Sequence, residues 1–219
     1  MSLIRPWWKA LVSLVFPEPD PCPLCHIQPL PEGLPVCFTC VERLDLSWHQ
    51  LILSQYSAYA LGYYQGYLKE LLQQIKYHNA YDPAVVLGQI LGLAAREQPE
   101  LQDVDAFLPV PLHENRLRQR GFNQAEAFVA GMNLVWPHPT VSVYSLKDTA
   151  PQSQLSPEQR WQNLRGAFML PNPSQILGNK ILIIDDIFTT GATYCTLANL
   201  VSQHHGIPVG LFVAHTQSG

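Results

Sequence analysis

At 219 residues and 24.6 kDa, the chain suits one ordinary domain plus an appendage and is too short for two full-sized domains. Apolar residues make up 47% and charged residues only 14%, so a real core is available and the 19 prolines do not imply global disorder. A net charge of −4 excludes a polyelectrolyte binder of nucleic acid; Arg116, Arg118, Arg120, Arg160 and Arg165 cluster instead, which points to local anion sites.

From the N-terminus, Arg5 and Lys9 precede or open the apolar run Ala10–Phe16. That run is at the short limit for a secretory signal, no small-x-small cleavage site follows, and Pro17 to Pro21 break the chain. A short amphipathic helix is therefore expected over residues 3–16. No stretch approaches the ~18 uninterrupted apolar residues of a spanning helix, so membrane insertion is not expected. The compartment expected is the cytoplasm, where structural disulfides are rare.

Cys22-Pro-Leu-Cys25 and Cys37-Phe-Thr-Cys40 follow, separated by eleven residues rich in turn formers (Pro29, Pro31, Gly33, Pro35). Four thiolates so spaced suit the corners of a tetrahedron around structural Zn²⁺. A disulfide pair or a redox dithiol is the alternative, but neither CxxC has a βαβ context and the two come as a matched set. With every position a protein ligand, such a metal would stabilise the chain and leave no open catalytic site. His26 adjoins Cys25 but is not needed as a ligand, and Cys195 stands apart as a small core residue. The knuckle from 22 to 40 carries no Lys or Arg, so it lacks the footprint of a DNA-reading finger.

Residues 1–50 are thus read as an N-terminal helix and metal knuckle, and 51–219 as an α/β domain. Tyr56–Tyr64 reads as a strand or hairpin. Residues 66–78 and 83–97 carry helical apolar spacing through Leu68, Leu71, Leu72 and Ile75, then Val86, Leu87, Ile90 and Leu91. Val104–Val110 is a strand, 122–134 a helix, Val141–Leu146 a strand and Phe168–Leu170 a short one. The polar, Gln-rich stretch between them, 147–166, fits a lid or a simple surface linker. Lys180–Ile184 is a buried strand, 192–204 a helix and 207–214 a last strand. Strands alternating with helices imply a mostly parallel sheet flanked by helices.

The most informative segment is Ile181 to Thr193. An apolar strand delivers Asp185 and Asp186 at its C-terminal edge, where open α/β sheets bind ligands. Thr189, Thr190, Gly191, Ala192 and Thr193 then open a helix whose first N–H groups can face an anion. The carboxylates suit a pair of hydroxyls or Mg²⁺. A phosphate and a diol one strand-end apart describe a ribose 5-phosphate.

This segment resembles the phosphoribosyl-pyrophosphate (PRPP) signature of type I phosphoribosyltransferases. Leu72–Tyr77, Val110–His113, Arg116 to Ala125 and Gln154 to Phe168, in this order behind two CxxC pairs, narrow the resemblance to the ComF family over residues 10 to 215. The resemblance implies a phosphoribosyltransferase-like fold with Thr189–Thr193 on the 5-phosphate and Asp185 and Asp186 on the ribose hydroxyls. It implies that the loop after the Val104–Val110 strand, with Arg116 and Arg120, holds the pyrophosphate, Arg118 being less certain, that Lys76 is among the PRPP-binding residues, and that Mg²⁺ is bound with PRPP. It points to DNA uptake or utilisation. Two functions follow: a PRPP-dependent transferase, or a non-catalytic PRPP- and single-stranded-DNA-binding partner of a DNA-uptake helicase or recombination mediator. For the second, Trp7, Trp8, Trp48, Trp161 and the Tyr63, Tyr64, Tyr67 group are candidate stacking residues.

Overall fold

The apolar patterning resolves into two cores with a sheet between them. The computed structural model describes residues 20–53, 55–78, 80–146 and 166–216; the helix expected over 3–16 and almost all of the polar 147–166 stretch lie outside the described residues. In chain order come α1 (Phe38–Leu44), β1 (His49–Ile52), β2 (Ser57–Ala60), α2 (Gly66–Tyr77), α3 (Tyr81–Ala95), β3 (Ala106–Pro109), α4 (Glu114–Arg120), α5 (Gln124–Val135), β4 (Tyr144–Ser145), β5 (Phe168–Met169), β6 (Lys180–Phe188), α6 (Ala192–Gln203) and β7 (Ile207–His215). The main sheet has the order β1-β2-β7-β6-β3, parallel except for the β1–β2 pair. Strands β4 and β5 form a separate antiparallel pair.

Alternation along the strands divides the core. Leu182 and Ile184 of β6, with Val209, Leu211 and Val213 of β7, pack under α2, α3 and α5 through Leu68, Leu72, Leu87, Leu91, Phe128 and Met132. Ile181 and Ile183 point the other way, to Tyr194, Leu197 and Val201 of α6. The β3-to-β6 connection therefore carries its helix on one face and the β6-to-β7 connection on the other. A crevice results at the C-terminal ends of β3 and β6, the place where open α/β sheets hold ligands.

Four local expectations are corrected. β6 does not end at Ile184 but runs to Phe188, because its backbone ladder with β7 continues through Phe188↔His215. Its other partner, β3, stops at Pro109↔Ile184, and Val110 N–H closes that side by donating to Ile184 O at 2.9 Å. The segment carrying Arg116 and Arg120 is the helix α4, not a loop. His113 Nδ1 accepts from Asn115 N–H at its start, and Gly121 ends it with φ of 79°. Val141–Leu146 is strand only at Tyr144–Ser145, Val141 N–H being taken by Phe107 O. Finally, the strand or hairpin expected over Tyr56–Tyr64 is strand only at Ser57–Ala60, which pairs with His49–Ile52.

The cysteine segment rests on the outer side of α3, where Cys22, Cys37 and Cys40 pack with Val86, Leu24 and Ile90. The inner side of α3 meets α5 with almost no space between backbones: a Cβ at Gly131 would overlap Val85 O, and one at Gly88 would overlap Phe128 O. Close helix contact of this kind leaves no side chain free to give way. Gly131→Ala is expected to cost about 1–3 kcal/mol by overpacking, lowering the melting temperature by roughly 2–4 °C per kcal/mol. Scanning calorimetry showing an unchanged midpoint would contradict the packing described.

Candidate functional site

A cleft of about 460 Å³ occupies the crevice between β3 and β6. Its walls bring together Lys76 from the end of α2, Arg116 and Arg120 from α4, Asp185 and Asp186 from β6, and Thr189, Gly191, Ala192 and Thr193 from the turn into α6. Thr190 is exposed and does not line it. Arg118 does not line it either; its guanidinium pairs with Glu114 at 3.2 Å on the exposed face of α4.

Both carboxylates sit on the overhang of β6 beyond β3, and each accepts from the backbone just after it. Asp185 Oδ1 takes Asp186 N–H at 2.9 Å, and Asp186 Oδ1 takes Ile187 N–H at 2.7 Å. Burial, with the Asp186 charge added, pushes the Asp185 carboxyl well above the ordinary carboxylate range, against which the Asp186 N–H and Lys76 pull only partly. Charging Asp185 is therefore costly unless a cation or hydrogen-bond donors offset it.

Gly191 begins α6 with φ of 73°, and no side-chain hydrogen bond caps the helix there. The first turn of α6 thus presents backbone N–H groups and the positive end of its dipole to the cleft, a setting that suits phosphate. The glycine is required for a reason other than close ligand approach. A Cβ on it would lie 2.8 Å from the ring of Phe188, so any side chain is opposed by both the left-handed backbone and that ring.

The start of α5 supplies residues that spacing alone did not single out. Asn123 caps the helix, its Oδ1 accepting from Ala125 N–H at 3.0 Å, and ties it to β3 by donating to Val110 O at 3.1 Å. Gln124 follows, 4% exposed, with Oε1 accepting from Arg120 Nη1 at 3.0 Å. The place of Gln124 in the cleft wall leaves no mark in the sequence pattern. Of the aromatic candidates within the described residues, Trp48 stacks on Tyr59, Tyr67 lies under Arg43 at 3.9 Å, and Tyr63 packs with His49 and His215. All three rings are half-buried and make these contacts within the fold. The exposed aromatic in the cleft wall is Tyr77.

Away from the cleft, the four cysteine Sγ atoms all lie within 4.8 Å of one another, with Cys22–Cys40 and Cys25–Cys37 both 3.8 Å apart and no disulfide. Thiolates around a tetrahedral Zn²⁺ at about 2.3 Å have edges of about 3.8 Å, so the donor set fits. Backbone N–H groups of Gln28 and Ile27 lower the Cys25 thiol to about 6, which favours the ligating thiolate. Burial raises Cys40, the price of a dry site that only a cation would offset. His26 is exposed and outside the cluster, and none of the four cysteines lines the cleft. Among the described residues, no helix is long and apolar enough to cross a membrane.

No protein-family model matches the chain. A structural likeness to an orotate phosphoribosyltransferase from Aeropyrum pernix covers 83% of this chain and 81% of the other, at 15% identity and a TM-score of 0.38. Among curated proteins, the chain is 29% identical over 173 residues to competence protein F of Haemophilus influenzae, covering 76% of this chain and 72% of that one. It is 27% identical over 203 residues to competence protein ComFC of Bacillus subtilis, covering 85% and 79%. The DNA utilization protein YhgH of Escherichia coli K12 is 31% identical over 189 residues, covering 84% of this chain and 78% of its own length. With the paired cysteine motifs and the Arg-Gly-Phe-Asn-Gln segment at 120–124 in place, these relationships make the chain a member of the ComF family.

Proposed function

We infer that the cleft binds PRPP with Mg²⁺, and that the chain is a cytoplasmic, phosphoribosyltransferase-like protein serving DNA uptake or utilisation. One observation carries this reading: two carboxylates, a helix N-terminus that starts at a glycine and three basic side chains converge on a single crevice at the strand ends. In it, the turn at Thr189–Thr193 receives the 5-phosphate, with Thr190 on its exposed side. Asp185 and Asp186 face the ribose hydroxyls and would hold Mg²⁺, which supplies charge to bind the diphosphate. In phosphoribosyl transfer the bond from C1 to the pyrophosphate oxygen breaks, its electron pair leaves with pyrophosphate, and an acceptor atom bonds to C1. Lys76, Arg116 and Arg120 are the groups suited to that leaving anion, guanidinium forks matching its oxygens.

A second reading keeps PRPP binding without completed transfer, the chain acting with single-stranded DNA and a helicase or recombination mediator. It is favoured by the names of the relatives, which refer to DNA utilization and competence and not to a transfer reaction. Product analysis after incubation with PRPP and Mg²⁺, with and without single-stranded DNA, separates the two. Pyrophosphate released together with a ribosylated acceptor supports transfer; intact PRPP with tight binding supports the second reading.

Asp185→Asn and Asp186→Asn are each expected to weaken Mg²⁺-dependent PRPP binding about tenfold or more, the scale of a lost charge-assisted contact. Asp185→Asn also removes a charge that burial and Asp186 both oppose, so the ligand-free variant should melt no lower than wild type. Unchanged calorimetric affinity in both variants would refute the site.

The cysteine cluster is assigned to structural Zn²⁺, the metal standing in for a core that so short a segment cannot build. Elemental analysis should find one zinc per chain. Cys22→Ser or Cys37→Ser should lose the metal and lower the melting temperature, while PRPP affinity of the folded protein stays within about twofold, because no cysteine lines the cleft. Zinc-free protein from chelator-free purification would refute the assignment.

A further inference from the structure

Buried polar side-chain atoms are partnered in the great majority of cases, and an orphan works against folding. At the first turn of α5, Asn123 and Gln124 are both buried, 5% and 4% exposed. Asn123 is fully engaged by the fold: besides its cap to Ala125 and its bond to Val110 O, Nδ2 donates to Glu126 Oε1 at 3.2 Å. Gln124 is only half engaged. Its Oε1 accepts from Arg120 Nη1, and since a guanidinium can only donate, this contact orients the amide and leaves Nε2 as the remaining group. Nε2 is buried without a hydrogen-bond partner among the described residues, although Gln124 forms part of the cleft wall together with Arg116 and Arg120. The bond to Arg120 accounts for the amide oxygen, and nothing among the described residues accounts for the amide nitrogen.

We propose that Gln124 is a specificity-determining residue whose Nε2 donates to a diphosphate oxygen of the bound ligand, on the side of the cleft held by Arg116 and Arg120. This rests on the PRPP reading and adds to it the group that tells the diphosphate end from the ribose 5-phosphate end. The residue type follows from the chemistry. The amide offers its oxygen to Arg120, steering that guanidinium, and its N–H to an oxygen that can only accept. A carboxylate in its place would neutralise Arg120 and repel the ligand.

The test is calorimetric titration of the full chain, Gln124→Leu and Gln124→Glu with three probes, each with Mg²⁺: inorganic pyrophosphate, ribose 5-phosphate and PRPP. Gln124→Leu should bind pyrophosphate and PRPP about 5- to 10-fold more weakly, and ribose 5-phosphate within about twofold of wild type, as befits one lost hydrogen bond at one end. Gln124→Glu should lose more than Gln124→Leu. The ligand-free Gln124→Leu chain should melt no lower than wild type, since a purely structural glutamine would show the reverse. In ¹⁵N-labelled protein, the Gln124 side-chain amide pair, identified by its absence from the Gln124→Leu spectrum, should shift on adding pyrophosphate. Undiminished pyrophosphate binding by Gln124→Leu, an equal loss for all three probes, or an unmoved amide pair overturns the proposal. Normal PRPP binding with an indifferent Gln124→Leu overturns this assignment alone. Gln124-dependent pyrophosphate binding without any binding of the two ribosyl probes supports it and overturns the PRPP reading. A wild-type chain that binds none of the probes overturns both.

Discussion

The cleft exists because β6 outruns one of its two neighbours. Hydrogen bonding to β7 continues to Phe188↔His215, while β3 stops at Ile184 and turns away after Val110. The overhang is thus held rigidly on one side and open on the other. Asp185 and Asp186 fall on it, each accepting the next backbone N–H. A carboxylate pair placed on a mobile loop would spread to relieve its repulsion. On a strand paired to β7 the backbone is fixed, and burial, with the Asp186 charge added, holds the Asp185 carboxyl above its ordinary range.

The two ends of the protein are joined by one helix. Val86 and Ile90 of α3 meet the cysteine cluster, while Leu87 and Leu91 of the same helix enter the main core. The glycine contact with α5 lies on the inner side, and α5 in turn begins at Asn123 and Gln124 in the cleft wall. The knuckle therefore braces the outside of a helix whose inside is already packed. It covers α3 and lies away from the cleft, which no cysteine lines.

Much of this was legible in the residues. The stripe Leu68, Leu71, Leu72, Ile75 is buried on α2 as its spacing requires, and the paired CxxC motifs do bring four sulfurs together. What was not legible follows from forces that leave no side-chain pattern. The apolar run of β6 ends at Ile184, but a backbone ladder is indifferent to side-chain polarity and continues with Asp185↔Phe212, Ile187↔Ala214 and Phe188↔His215. Helix α4 buries no residue, so it has no apolar stripe to read, and only its His113 start and Gly121 stop mark it. β1 has four residues, and its pairing with β2 depends on register in three dimensions. Gln124 stood in a motif that could be quoted, yet its half-satisfied amide needs Arg120 to be placed before it has any meaning.

Charge sets the range at which the cleft can act. Lys76, Arg116 and Arg120 line the cleft with Asp185 and Asp186, and burial opposes the Asp185 charge, so the ligand-free crevice is locally positive within a chain of net charge −4. The chain's net negative charge opposes long-range gathering of anions, so selectivity has to come from contact with backbone N–H groups and guanidinium forks. The same arithmetic bears on DNA. Counterion release is the main source of non-specific affinity for nucleic acid, and residues 103 to 219 hold seven Lys and Arg against eight Asp and Glu. A surface so balanced has little to release. A role in DNA utilisation is then better served by a small phosphorylated ligand in the crevice, or by a second protein that carries the strand, than by this chain gripping a polyanion along its length.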